Sequence, residues 1–129
     1  MVSFSFRETR IEIQLPVWLR LQADSSQKLH PGKVEATIIN VSKGGACLLT
    51  PKLLIEGKHL FFTTLNSSHT LLLQAHASLN ELDDFNISAR SVWMDSCEHL
   101  DQQFFKVGVS FTTPQKDFYE SIKKHLRTL

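Results

Sequence analysis

No apolar run in this 129-residue chain approaches the ~18 residues of a membrane-spanning helix, so no membrane insertion is expected. Charge of one sign is missing too. The 14 lysines and arginines nearly balance 13 aspartates and glutamates, a formal net charge of +1, which provides no global field for nucleic acid or an anionic membrane. An anionic ligand would therefore need a local cluster of basic side chains. Where a secretion signal needs its apolar stretch the chain has Arg7, Glu8 and Arg10, so a cytoplasmic protein is expected. Cysteine is scarce. Cys47 and Cys97 read as free thiols of a reducing compartment rather than as a disulfide framework. The histidines at 30, 59, 69, 76, 99 and 125 show no ligand spacing with one another or with the cysteines, so no metal and no cofactor is expected. Ser42 has no visible His/Asp partners and no paired carboxylates mark a cleft, so catalysis is not expected. Internal repeats and low-complexity segments are absent.

What remains is an ordinary globular balance, 42% hydrophobic and 21% charged residues, in a chain the size of one domain. Ile11, Ile13, Leu15, Val17, Leu19 and Leu21 alternate with Glu12, Gln14, Pro16, Trp18, Arg20 and Gln22. That period of two predicts a long strand with one buried face. Pro16 removes a ladder donor, so the strand is an edge there or carries a bulge. A turn-rich loop at 24–32 leads to a strand at 33–39. Further strands are expected at 46–49, 58–65, 70–79 and 87–94, with an acidic connection at 80–85 and a polar loop at 95–103. Phe105, Val107, Val109 and Phe111 form the inward face of a last strand. Many short strands with regular turns suggest a small barrel, which leaves no open sheet edge. A helix closes the chain: Thr113 can cap it, Pro114 suits its first turn, and Phe118, Ile122 and Leu126 make its apolar stripe. Lys116, Lys123, Lys124 and Arg127 lie on its other side as a solvated basic face.

The most informative stretch is Asn40-Val41-Ser42-Lys43-Gly44-Gly45, directly after the strand at 33–39. Asn40 and Ser42 lie two apart and point the same way in an extended chain. Gly44 and Gly45 allow positive φ and close approach of a ligand to the backbone. An amide and a hydroxyl beside a bare glycine turn suit a flat polar ring such as a purine. The same residues can equally make an ordinary turn between strands. Arg7 and Arg10 can likewise be a solvated charge cluster with Glu8 and Glu12, or a pair of planar forks for phosphate oxygens and the guanine edge.

Taken in order, an arginine cluster at 7–10, the strand with Leu15-Pro16-Val17, the turn Asn40-x-Ser42-x-x-Gly45, the strand Ala89-Arg90-Ser91-Val92-Trp93, the strand Gly108-Val109-Ser110-Phe111 and a final helix resemble a PilZ domain over nearly the whole chain. The resemblance implies an all-β fold, a small antiparallel barrel of about six to seven strands with a C-terminal α-helix. Residues 1–10 would be an N-terminal segment carrying the arginine motif, and residues 11–129 the barrel and helix. It implies a receptor for the bacterial second messenger cyclic di-GMP, bound by Arg7, Arg10, Asn40, Ser42 and Gly45, with Lys43, Gly44 and Trp93 as weaker candidates. The family's arginines are spaced Arg-x-x-x-Arg. Here Phe6 stands four before Arg10, and Arg7 gives Arg-x-x-Arg. With no output domain in view, such a receptor would act on an unidentified effector protein of motility, pilus or exopolysaccharide control. A nucleotide-independent PilZ-like adaptor is the alternative reading.

Overall fold

The computed structural model describes residues 9–65, 68–76 and 84–127. The long alternating segment is β1, Ile11–Ala23. Leu15, Val17, Leu19 and Leu21 are buried and the even-numbered residues face outward. It pairs antiparallel with β2, Val34–Val41, which turns into β3, Gly45–Thr50. A two-residue hairpin, β4 Leu54–Ile55 and β5 Lys58–His59, leads into the short helix α1, Leu60–Leu65. β6, His69–Ala75, β7, Asn86–His99, and β8, Gln102–Phe111, follow. The helix α2, Lys116–Arg127, comes last. Six strands close into a barrel in the order β1-β2-β3-β8-β7-β6, with β6 returning to β1. The expected all-β barrel with a C-terminal helix is therefore the fold.

Pro16 sits where the sequence reasoning places it. Among the described residues β6 pairs with β1 from Val17 onward, and the β1–β2 register shifts between Glu12 and Leu15. The missing N–H thus falls where, among those residues, β1 pairs with β2 alone, next to an irregularity. The core is filled by the inward rows of the strands together with Leu60 and Phe61 of α1 and Phe118 and Ile122 of α2.

Three expectations need correction. Residues 60–65 are helical, not the second half of a strand. His59 Nδ1 accepts the amides of Phe61 and Phe62 at 3.3 Å each, which satisfies donors at the helix start. The Thr63 and Thr64 hydroxyls donate back to the carbonyls of His59 and Leu60. Thr64 also meets Ser91 of β7 at 2.6 Å. Residues 95–103 are not a loop: β7 and β8 continue to His99 and Gln102 around Leu100 and Asp101, at φ 55° and 63°. Two successive positive φ values make the tight turn whose twist matches a hairpin. The last helix starts at Lys116, with Gln115 rather than Thr113 giving the first carbonyl, to Tyr119. The continuation of β6 through Ala77 and Leu79, and the acidic connection at 80–83, lie outside the described residues.

Candidate functional site

The bare turn between β2 and β3 is built from its own backbone. Ser42 N–H donates to the Gly45 carbonyl at 2.9 Å, and the Ser42 hydroxyl donates to the same oxygen at 3.4 Å. Ser42 is 2% exposed, so its side chain braces the turn from inside. The outer carbonyls tie the turn to the rest of the fold. Gly44 O accepts Phe111 N–H and Lys43 O accepts Gln115 N–H, both at 2.8 Å. β8 and the entrance of α2 thus hold the turn in place. Lys43 Nζ lies 5.8 Å from the centre of the Tyr119 ring. The Tyr119 hydroxyl donates to the Thr9 carbonyl at 3.2 Å, so α2 also fastens the chain just before β1. The positive φ that Gly44 and Gly45 allow is not used. Among the described glycines that region is occupied by Gly57, at φ 82°.

Asn40 goes the other way. The β2–β3 register shifts between Ile38 and Asn40, and this irregularity turns Asn40 onto the outer face. Its Oδ1 is buried and has no hydrogen-bond partner, which is uncommon for a buried acceptor. Asn40 lines a pocket on that face, whereas Ser42 is buried in the adjacent turn and does not line it.

Asn40 lines an open pocket of about 640 Å³ on the outer wall of the barrel, within the ~300–1,000 Å³ usual for ligand sites. Glu12 and Gln14 of β1 and Leu49 of β3 form one side. Lys106 of β8 and Cys97 and Glu98 of β7 form the other. Arg10 is exposed and precedes the Ile11–Val41 pair by one residue, at the level of Ser42. Burial pushes the Cys47 thiol above its ordinary 9.0, while Lys106 and Arg10 pull it the other way. Two cations are thus near the Cys47 position of the outer face. Trp93 pairs with Gly108, and its indole lies directly over that glycine.

Of the residues singled out from sequence, Asn40 opens into the pocket, Arg10 is exposed at the start of β1, and Ser42, Lys43, Gly44 and Gly45 form the adjacent turn. Trp93 lies on the same outer face, on β7, three strands from the β2 that carries Asn40, and does not line the pocket. Arg7 lies outside the described residues. Lys106, Cys97, Glu98, Glu12 and Gln14 were missed. Strand alternation places Lys106 outward beside Gly108, but only the order of strands in the barrel brings it toward Asn40. Among the described residues no three His, Cys, Asp or Glu side chains cluster to hold a metal, and no helix is long and apolar enough to cross a membrane.

Comparison with known proteins agrees with this architecture. The family model described as PilZ domain matches residues 5–128. No curated protein matches the sequence. Among solved structures, the PilZ domain of YcgR from Escherichia coli, with c-di-GMP, is similar at TM-score 0.58 and 11% identity. That match covers 95% of this chain and 89% of that one. PlzA from Borreliella burgdorferi, in complex with c-di-GMP, gives TM-score 0.56 at 14% identity over 95% of this chain and 52% of that one. MrkH from K. pneumonia, in its apo state, gives 0.55 at 16% over 100% and 53%. The chain thus spans about half the length of PlzA and of MrkH. At such identities the likeness concerns the fold.

Proposed function

The chain belongs to the PilZ domain family, and from that premise we propose that it is a receptor for cyclic di-GMP that passes its signal to an effector protein in the cytoplasm. The observation that carries this reading is Asn40: a family-motif side chain whose buried Oδ1 lacks a partner, on the wall of an open pocket. With the amide turned toward the pocket, a guanine base can supply the missing donor through its N1–H or N2–H. Two proteins of the same fold, PlzA and the PilZ domain of YcgR, have structures with c-di-GMP bound. In this reading Arg10 and Lys106 receive phosphate or guanine oxygens, Arg7 approaches from the N-terminal segment, and the turn at 42–45 keeps the site's edge rigid. Lys43 and Gly44 border the ligand at the turn, and Trp93 meets only a part of it that extends beyond the pocket along the outer face. The effector would belong to motility, pilus or exopolysaccharide control.

One observation favours the second reading, a nucleotide-independent adaptor. Glu12 and Glu98 line the same pocket and oppose a phosphate, while the arginines are spaced one residue short.

Calorimetric titration with cyclic di-GMP at low and raised salt separates the two. Receptor function predicts saturable binding that weakens with salt. Arg10→Ala and Lys106→Ala should each remove a charge-assisted contact worth about 1.5–3 kcal/mol, or about one to two decades in Kd. Both residues are exposed, so the circular dichroism of the variants should match the parent protein. No heat at ligand near 1 mM, where a site of about −4 kcal/mol half fills, would leave the adaptor reading.

A further inference from the structure

The end of the barrel remote from Asn40 carries its own concentration of unusual surface. β1 runs thirteen residues from Ile11, beside Val41, to Ala23, roughly 40 Å along the strand. Around Ala23 lie four of the five large hydrophobic residues that are exposed among the described ones. These are Leu54 (57%), Phe62 (51%), Leu65 (43%) and Leu29 (36%). Three of them form a continuous ridge. Leu54 pairs across the hairpin with His59, whose ring packs on Phe62 with centroids 4.5 Å apart, and Leu65 follows Phe62 at helical spacing three. Leu29 belongs to a hollow of about 270 Å³ that also includes Ala23, Pro31 and Lys58. Lys58 adjoins His59 in the chain, so the hollow and the ridge are carried by neighbouring residues of one hairpin.

Among the described residues the hollow has one sign of charge: Lys28 and Lys58 line it together with His30 and His69, and no carboxylate does. The nearby Asp24 is committed to Arg90 at 2.9 Å and to the Thr70 hydroxyl at 2.7 Å. Glu56 lies against Gly32, outside the lining. The His30 Nδ1 is buried without a hydrogen-bond partner. The volume falls just below that of sites for drug-sized ligands and suits one large side chain. An apolar ridge with a cationic hollow marks a surface for association, and its charge selects the partner.

We propose that this pole is a docking surface for a segment of a partner protein that alternates carboxylates with large apolar side chains. One apolar side chain fills the hollow beside Leu29, its neighbours lie along Leu54, Phe62 and Leu65, and the carboxylates meet Lys28, Lys58 and His30. The surface does not involve Asn40 and does not depend on the nucleotide reading.

The test is amide chemical-shift mapping of the full, isotope-labelled chain with three synthetic peptides, alternating Glu-Leu, Lys-Leu and Glu-Ser. The expected result is saturable shifts at residues 28–30, 58–62 and 69 with the Glu-Leu peptide alone. The double variant Lys28→Glu, Lys58→Glu and the single variant Phe62→Ser should each weaken that binding at least about tenfold. Both alter exposed side chains, and a dispersed spectrum confirms folding. Equal shifts with the Lys-Leu peptide, shifts confined to other residues, or unchanged binding in folded variants would overturn the proposal. Concentration-dependent shifts at the same residues without peptide would also overturn it, by showing a second copy of the chain as the occupant.

Discussion

Replacing Gly108 by alanine puts two opposing effects in direct competition. Gly108 sits in β8 between Cys47 of β3 and Trp93 of β7. It is not in the positive-φ region, so alanine fits its backbone. Strand propensity alone then favours the substitution by about 0.5–1 kcal/mol, since glycine loses more chain entropy on folding. The new methyl, however, would coincide with the Trp93 indole at Nε1, Cε2 and Cδ1. A rigid ring cannot flex away, so the whole side chain must rotate off the sheet. Overpacking of this kind costs about 1–3 kcal/mol. The clash wins, and the net expectation is a loss of roughly 0.5–2 kcal/mol in urea unfolding followed by circular dichroism. In a Trp93→Ala background the obstruction is gone, and Gly108→Ala should then stabilise by about 0.5–1 kcal/mol. The double-mutant cycle isolates the overlap as a coupling of about 1–3 kcal/mol. An equal loss in both backgrounds, or a gain in the parent protein, would refute the placement of Trp93 over Gly108.

Two further predictions concern the site and the short helix. Cys97 is partly exposed and lines the Asn40 pocket, whereas Cys47 is 3% exposed with its thiol pushed up by burial. One thiol per folded molecule should react quickly with an aromatic disulfide reagent, and saturating cyclic di-GMP should slow that reaction; a rate indifferent to bound ligand would place the ligand elsewhere. Burial lowers the His59 imidazole below its ordinary 6.5, and its Nδ1 caps α1 only when unprotonated. The unfolded chain then takes up the proton first, so stability is intact above pH 6.5 and declines as pH falls toward the folded value. His59→Asn keeps a capping acceptor without a titration. Its stability relative to the parent should rise from about pH 7 to about pH 5, and a constant difference across that range would contradict the sign.

Legibility in the sequence followed the range of the interactions involved. β1 and β8 are readable because each alternates over a long span with one buried row. The stripe of Phe118 and Ile122 is readable for the same reason at helical period. Residues 60–65 misled because Leu60, Phe61 and Phe62 are apolar in succession, which suits a strand as well as a helix. The arbiters were the ring nitrogen of His59 and the contact of Thr64 with Ser91, 27 residues away. The hairpin at Leu100 was hidden because the positive φ values fall on a leucine and an aspartate rather than on the glycine or asparagine usual for such a turn. In the candidate site, the turn at 42–45 was recognisable from its residues. The outward facing of Asn40 was not, because it follows from an irregularity between Ile38 and Asn40.

The sequence by itself determined the strand periodicity, the closing helix, the near-neutral charge and the ordered motif of a PilZ domain. These are properties of neighbours along the chain, where side-chain period and turn chemistry act locally. Only the tertiary structure decided that Asn40 faces outward with an unpaired acceptor, that Lys106 and Cys97 join it across the barrel wall, and that Leu29, Leu54 and Phe62 gather at the far pole. Those residues are brought together by closing β6 onto β1 and by the register of each strand pair. Register depends on which rows of side chains fill the common interior, and that choice belongs to the whole barrel rather than to any one segment.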